Sequence, residues 1–179
     1  MKTRNLILIA LFAAITAVFA QIVIPLPFTP VPFTMSLFAV FLTGVVLEKK
    51  AAFAVQAVYL LLGLVGVPVF GGFTGGPGIL FGVTGGYLIA YPLMSFLTAW
   101  IPELLHRKNF GTYILGMLAG LLVCYVLGTI WLAVAAKTGL WQAVLTGVAP
   151  FVLLDLVKVA CSAGLGLALQ KALKAAKLA

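Results

Sequence analysis

Of the 179 residues, 64 % are hydrophobic and 8 % charged, with a mean hydropathy of +1.27; a chain of this size cannot bury so much apolar surface against itself, which excludes a soluble domain. The 11 Lys and Arg against 3 Asp and Glu leave a net charge of +8. Most of these cations sit at the edges of apolar runs, where lipid headgroups account for them and no nucleic acid is needed.

The uncharged runs cover residues 5–47, 51–102, 109–136 and 138–170, the last interrupted only by Asp155 and Lys158. At about 20 helical residues per crossing, the first two runs hold two spans each. The prediction is an all-α integral membrane protein of six transmembrane helices in a single domain, residues 1–179. A transmembrane barrel would show short alternating segments, and nothing here alternates.

Lys2 and Arg4 precede a first helix predicted over 6–24. It is too long for a secretory h-region, and more helices follow at once, so it reads as a retained span. On it Ala10 and Ala14, and Ala13 and Ala17, recur at four-residue spacing and leave a shallow face where another helix can approach closely. Four prolines in residues 25–32 break the helix and make a stiff connector. A second helix over 33–47 stops at Glu48-Lys49-Lys50, a turn so short that the third, 51–64, is predicted to return antiparallel and pack against it as a hairpin.

Residues 66–86 hold nine glycines, and each one penalises a helix. An irregular outer loop is therefore predicted between helices three and four. It lacks the Lys-Ser/Thr of a phosphate-binding loop and the acidic residue of a dinucleotide fold. Exposed N–H groups at Gly71, Gly72, Gly75, Gly76, Thr84, Gly85 and Gly86, beside Phe70, Phe73, Phe81 and Tyr87, instead suit a lid over a ligand, aromatic outside and polar backbone within. A flexible surface loop is the plainer alternative. Helix four is predicted over 85–104, ending at His106-Arg107-Lys108, where the lone histidine reads as solvated. Helix five covers 113–135, residues 137–142 form a short loop, and helix six covers 144–169, with Pro150 starting its regular part or kinking it. Cys124 and Cys161 lie in apolar helix and read as small hydrophobes, with neither disulfide nor metal spacing.

Asp155 and Lys158, three residues apart on helix six, share one helix face. Ionisable groups at membrane depth are costly and usually face a bundle interior, where they pair or contact a substrate. A ligand site is the reading adopted; a structural lock between helices is the alternative. With Lys2 and Arg4 in the cytoplasm, alternating crossings put Lys49, Lys50, Arg107, Lys108, Lys171, Lys174 and Lys177 inside as well and only Lys137 outside. Both termini are then cytoplasmic, the proline and glycine loops are outer, and the pair lies roughly 15–20 Å below the outer surface.

Pro30-Val-Pro-Phe-Thr34, Tyr59-Leu-Leu-Leu-Gly63, Gly66-Val-Pro-Val-Phe70, Thr84-Gly-Gly-Tyr87 and Asp155-Leu-Val-Lys158, in this order across nearly the whole chain, resemble BioY, the biotin-binding S-component of energy-coupling-factor (ECF) vitamin transporters. Met35-Ser36 and Val83 depart from that family's usual Leu-Gln and Pro. The resemblance implies high-affinity capture of biotin as cargo, with no cofactor. Asp155 and Lys158 would meet its polar groups, and the glycine loop would cover its thioether ring. It also implies a transmembrane coupling protein and two ATPases as partners, docked on Ala10, Ala13, Ala14 and Ala17. An intramembrane enzyme is disfavoured, since the chain offers no nucleophile–base pair or metal-ligand cluster. A proton-coupled secondary transporter or structural subunit is the remaining alternative, although carriers often show related halves and no repeat is visible.

Overall fold

The computed structural model describes residues 3–176. Its elements run α1 Thr3–Ala20, β1 Val23–Ile24, β2 Phe33–Thr34, α2 Ser36–Val46, α3 Lys49–Leu64, α4 Pro77–Leu80, α5 Gly85–Leu104, α6 Phe110–Ala135, α7 Leu140–Gly147 and α8 Val152–Ala175. Among the described residues the fold is helical apart from one short strand pair. α1, α6 and the stretch Val152–Leu173 of α8 are long and apolar enough to cross a membrane. Lys2 and Lys177, used above to orient the chain, lie outside the described residues, as does the side chain of Lys174.

α1 stops at Ala20, short of the predicted residue 24. Gln21 ends it: its side-chain Nε2 donates back to Ala17 O at 2.9 Å and across to Val69 O at 3.3 Å. The chain then extends, and β1 pairs antiparallel with β2, Val23 opposite Thr34 and Ile24 opposite Phe33. The prolines of residues 25–32 have no N–H to give to a ladder and occupy the loop that joins the strands. That loop is a strap whose tip is pinned where Thr29 Oγ1 donates to Thr146 O at 2.6 Å. Because Phe33 and Thr34 are committed to the strand, α2 begins at Ser36, later than the predicted residue 33.

α5 occupies the middle of the bundle, flanked by α6, α3 and α2. Its contact with α6 is the most extensive in the fold, and a stripe at four-residue spacing, Gly116, Gly120, Cys124 and Gly128, explains why. A Cβ added at Gly116 would lie 2.9 Å from Thr98 O, and one at Gly120 2.9 Å from Met94 O, so the two backbones approach as no larger residue would allow. The predicted α2–α3 hairpin packing is only slight, although Gln56 Nε2 of α3 donates to Thr43 Oγ1 of α2 at 3.3 Å. The two helices are joined by a tight turn, but α2 packs chiefly on α8 and α5, and α3 on α5 and α1. Leu47 and Glu48 are both extended, so the chain steps sideways between them and each helix turns its buried face to a different neighbour.

The predicted sixth helix is two helices. α7 ends at Gly147, Val148 leaves helical geometry (φ −126°, ψ −56°), and α8 starts at Val152. Pro150 lies in the break, where it removes a backbone donor. Asp155 therefore falls in the first turn of α8, at the positive end of its dipole.

Candidate functional site

Asp155 and Lys158 are 2 % and 6 % exposed. Lys158 Nζ donates to Asp155 Oδ1 at 2.9 Å and to Thr34 O of β2 at 2.8 Å, and stands 3.9 Å from the centroid of the Phe33 ring. Tyr125 of α6 donates its hydroxyl to Asp155 Oδ2 at 2.7 Å. Both carboxylate oxygens and the ammonium are thus engaged, which removes most of the cost of burying them. The carboxylate keeps spare lone pairs, so it can still accept from a ligand.

Hydroxyls continue the polar surface away from the pair. Thr34 Oγ1 and Ser36 Oγ lie 2.6 Å apart, and Ser36 Oγ is 2.7 Å from Tyr91 Oη of α5. Tyr87 donates to Gly147 O at 3.1 Å, bringing the end of α7 to the same place. These residues enclose a cavity of about 60 Å³ between the strap (Val31, Pro32, Phe33, Thr34), α5 (Tyr87, Tyr91), α6 (Cys124, Tyr125) and α8 (Asp155, Lys158). Its wall mixes aromatic faces with a few convergent polar atoms, the usual make-up of a small-molecule site. Among the described residues, no group of His, Cys, Asp or Glu could hold a metal ion.

Of the predicted site residues, the structure brings Asp155, Lys158 and Tyr87 together. The others sit elsewhere. Phe70 is buried in the core with its ring edge-on to Tyr59, 5.5 Å between centroids. Phe70 and Thr74 exchange backbone hydrogen bonds of 2.9 and 3.3 Å around a tight turn, in which Gly72 and Phe73 have φ of 72° and 56°. The Phe73 N–H is held by Gln21 Oε1 at 2.7 Å, while its side chain is 75 % exposed. Gly71 packs on the end of α1 and Gly75 on Val67, and Gly76 N–H donates to Gly63 O at 2.6 Å. Thr84 precedes α5, whose first residues Gly85 and Gly86 fit under Leu80 and Trp131. None of these glycines lines the cavity, whereas Val31 and Pro32 of the strap do.

On α1, Ala13 is buried and Ala17 half-buried against the bundle, while Ala10 and Ala14 are exposed. A helix turns about 100° per residue, so the two pairs point to different sides, and only Ala10 and Ala14 are open to a partner.

Tyr125, Tyr91, Phe33, Thr34 and Ser36 were not singled out from the sequence as site residues. Ser36 and the two tyrosines are hydroxyl-bearing residues in apolar helices, which was the available signal. Tyrosine is too common a core residue for it to stand out.

A protein of Pyrococcus horikoshii described as a probable biotin transporter BioY is 42 % identical to this chain over 160 residues, 89 % of this chain and 92 % of that protein. The biotin transporter BioY of Thermotoga maritima is 40 % identical over 168 residues, 94 % of this chain and 96 % of that protein. The crystal structure of an S-component for biotin from an ECF-type ABC transporter superposes with a TM-score of 0.88 at 25 % identity, over 95 % of this chain and 92 % of that one. The family model described as the BioY family matches residues 1–175, and with relatives this similar over nearly their whole length, the chain belongs to the BioY family.

Proposed function

We propose that this chain is the biotin-capture component of an ECF-type uptake transporter, binding its cargo at Asp155 and Lys158 from the outer face of the cell membrane. The observation that carries the reading is the buried, fully paired Asp155–Lys158–Tyr125 cluster opening on a cavity, in a chain of the BioY family. Biotin presents a ureido ring with adjacent N–H donors and C=O acceptor. Asp155 offers an acceptor and Lys158 a donor side by side, which complements that edge, and the tyrosines supply flat apolar walls. No bond is made or broken, so no cofactor is required.

A site for a molecule of this size usually encloses about 300 Å³ or more, and the cavity holds about 60 Å³. The strap must therefore shift to admit the ligand. Lys158 links the two events: a ureido oxygen reaching Nζ competes with Thr34 O, the bond that ties β2 down.

In this reading α1, α2, α3, α5, α6 and α8 are the six crossings and both termini are cytoplasmic. The Gly-rich segment between α3 and α5 and the strap then face outward, and Ala10 and Ala14 meet the transmembrane coupling protein, which works with two ATPases. Equilibrium binding of labelled biotin to detergent-purified protein is the test. Saturable binding that biotin amide competes for nearly as well as biotin is expected, since the ureido edge is the part recognised. Absence of saturable binding overturns the reading.

A further inference from the structure

A cavity larger than the one beneath the strap lies elsewhere in the molecule. α2 runs from Ser36, beside the ion pair, to Val46 at the opposite end of the bundle, and there a cavity of about 470 Å³ opens between the start of α1, the α2–α3 turn, the end of α5 and the end of α8. That volume lies within the usual range of about 300–1,000 Å³ for small-molecule sites. Arg4, Lys49, Lys50 and Lys108 converge on it, against Glu48 and Glu103. Glu103 is already taken by Lys49 at 3.1 Å, whereas Arg4, Lys50 and Lys108 form no ion pair among the described residues.

Two further features bring hydrogen-bonding groups to the same space. α3, 16 residues long, starts here, and its N-cap residue Glu48 makes no side-chain cap, so the first-turn N–H groups of Lys49, Lys50 and Ala51 keep the positive end of the helix uncapped. Tyr113 accepts from Gln170 Nε2 at 3.2 Å and donates to no described residue, although it is buried. Deeper in, Leu8, Val46, Leu47 and Ala99 give the cavity an apolar wall. Cations without an ion-pair partner and an open helix N-terminus, beside a tyrosine hydroxyl that still has its proton to donate, over apolar side chains, make a receptor for an anion attached to something greasy.

We propose that this cavity binds a phosphate-bearing anion, most fully satisfied by the headgroup of an anionic phospholipid whose acyl chains lie on the apolar wall. Arg4, Lys50 and Lys108 contact the phosphate, with the first turn of α3 and Tyr113 completing its shell. Phosphate in solution shares the headgroup's chemistry, and competition between the two separates the sources.

Native mass spectrometry of the purified protein with phosphatidylglycerol or phosphatidylcholine tests this directly. The wild type should retain phosphatidylglycerol in preference to the zwitterionic lipid. The Arg4→Gln/Lys50→Gln/Lys108→Gln variant should lose that lipid by about tenfold with an unchanged melting temperature, while Lys137→Gln, which removes a cation outside the cavity, should lose none. Ala51→Phe, which fills the space without changing its charge, should also lower retention, and it decides the matter if the triple variant does not fold. Displacement of phosphatidylglycerol by excess inorganic phosphate would assign the site to the phosphate group alone, and persistence would assign it to the intact lipid; both sustain the proposal. Equal retention of the two lipids overturns it, as does undiminished phosphatidylglycerol in the triple variant and in Ala51→Phe. It is likewise overturned if the triple variant holds its lipid and instead loses the coupling subunits.

Discussion

Asp155 is the residue on which the site's electrostatics turn, because each of its oxygens answers a different helix: Oδ1 takes Lys158 of its own helix and Oδ2 takes Tyr125 of α6. Removing the charge leaves Lys158 buried with neutral acceptors and an aromatic face but no counter-charge. Breaking one side of a buried pair costs about 3–5 kcal/mol, so Asp155→Asn should lower the melting temperature as well as biotin affinity. The affinity loss is expected to be about tenfold or more, as a charge-assisted bond becomes neutral. Tyr125→Phe removes a single bond to a charge, costing about 2 kcal/mol, and should leave Lys158 paired and weaken biotin less than Asp155→Asn does. Isothermal titration and thermal unfolding of both variants check the order; a larger effect from Tyr125→Phe would move the anchor of the site from the ion pair to the tyrosine. The pair was legible in the sequence because two charges inside an apolar run have no cheap explanation. Tyr125 was not, because a tyrosine in an apolar helix has many.

Among the elements, the α5–α6 contact decides whether the cavity exists at all, since Tyr87 and Tyr91 come from one helix and Cys124 and Tyr125 from the other. Gly120→Leu would drive a side chain into Met94 O and force the helices apart. It should abolish the folded, monodisperse protein in size-exclusion chromatography. Ala10→Leu, on an exposed face, should leave folding unaffected. The small-residue stripe on α1 was legible in the sequence and the one on α6 was passed over, because periodicity tells which residues share a face and says nothing of what that face meets. The strap was hidden for a related reason. Prolines announce where a helix stops, while the pairing of residues 23–24 with 33–34 depends on two short segments meeting across the loop, which no local pattern records. Thr29→Val should untie the strap from α7 and raise the association and dissociation rates of biotin together, with little change in their ratio; stopped-flow binding would show it.

At the scale of the whole molecule, the proposed binding and docking sites are separate places, the cavity beneath the strap and the exposed Ala10–Ala14 face of α1. Ala14→Trp should therefore spare biotin affinity while lowering cellular uptake and co-purification of the coupling subunits, since the bulky ring forfeits close helix packing. Parallel loss of binding would tie α1 to the pocket. The orientation is open to a separate test. A cysteine at Thr74 should react with a membrane-impermeant thiol reagent from outside the cell, and labelling only after the membrane is opened would reverse the topology. The two native cysteines should interfere little, because Cys124 is buried and Cys161 sits midway along the apolar span of α8. That the chain is a helical membrane protein could be read directly from where its charges stop. The division of the last span at 148–151 could not, since Pro150 was compatible with a kink as well as a start.

The shortness of α2 has a consequence for the lipid around the protein. Its 11 residues reach about 16 Å, roughly half of a hydrocarbon core about 30 Å thick. With α2 as one of the six proposed crossings, the remaining depth on the ligand side has to be made up by strap and strand, whose backbone is tolerable in apolar surroundings only while it is packed on protein or lines a cavity. Bilayer thickness thus bears on the strap itself. A thicker membrane penalises the displaced strap more than the seated one, a thinner membrane relaxes that difference, and the acyl-chain length of the host lipid becomes a control on how readily the site opens. Biotin association measured in nanodiscs of increasing chain length should slow accordingly, and rates independent of chain length would show that the strap never meets lipid.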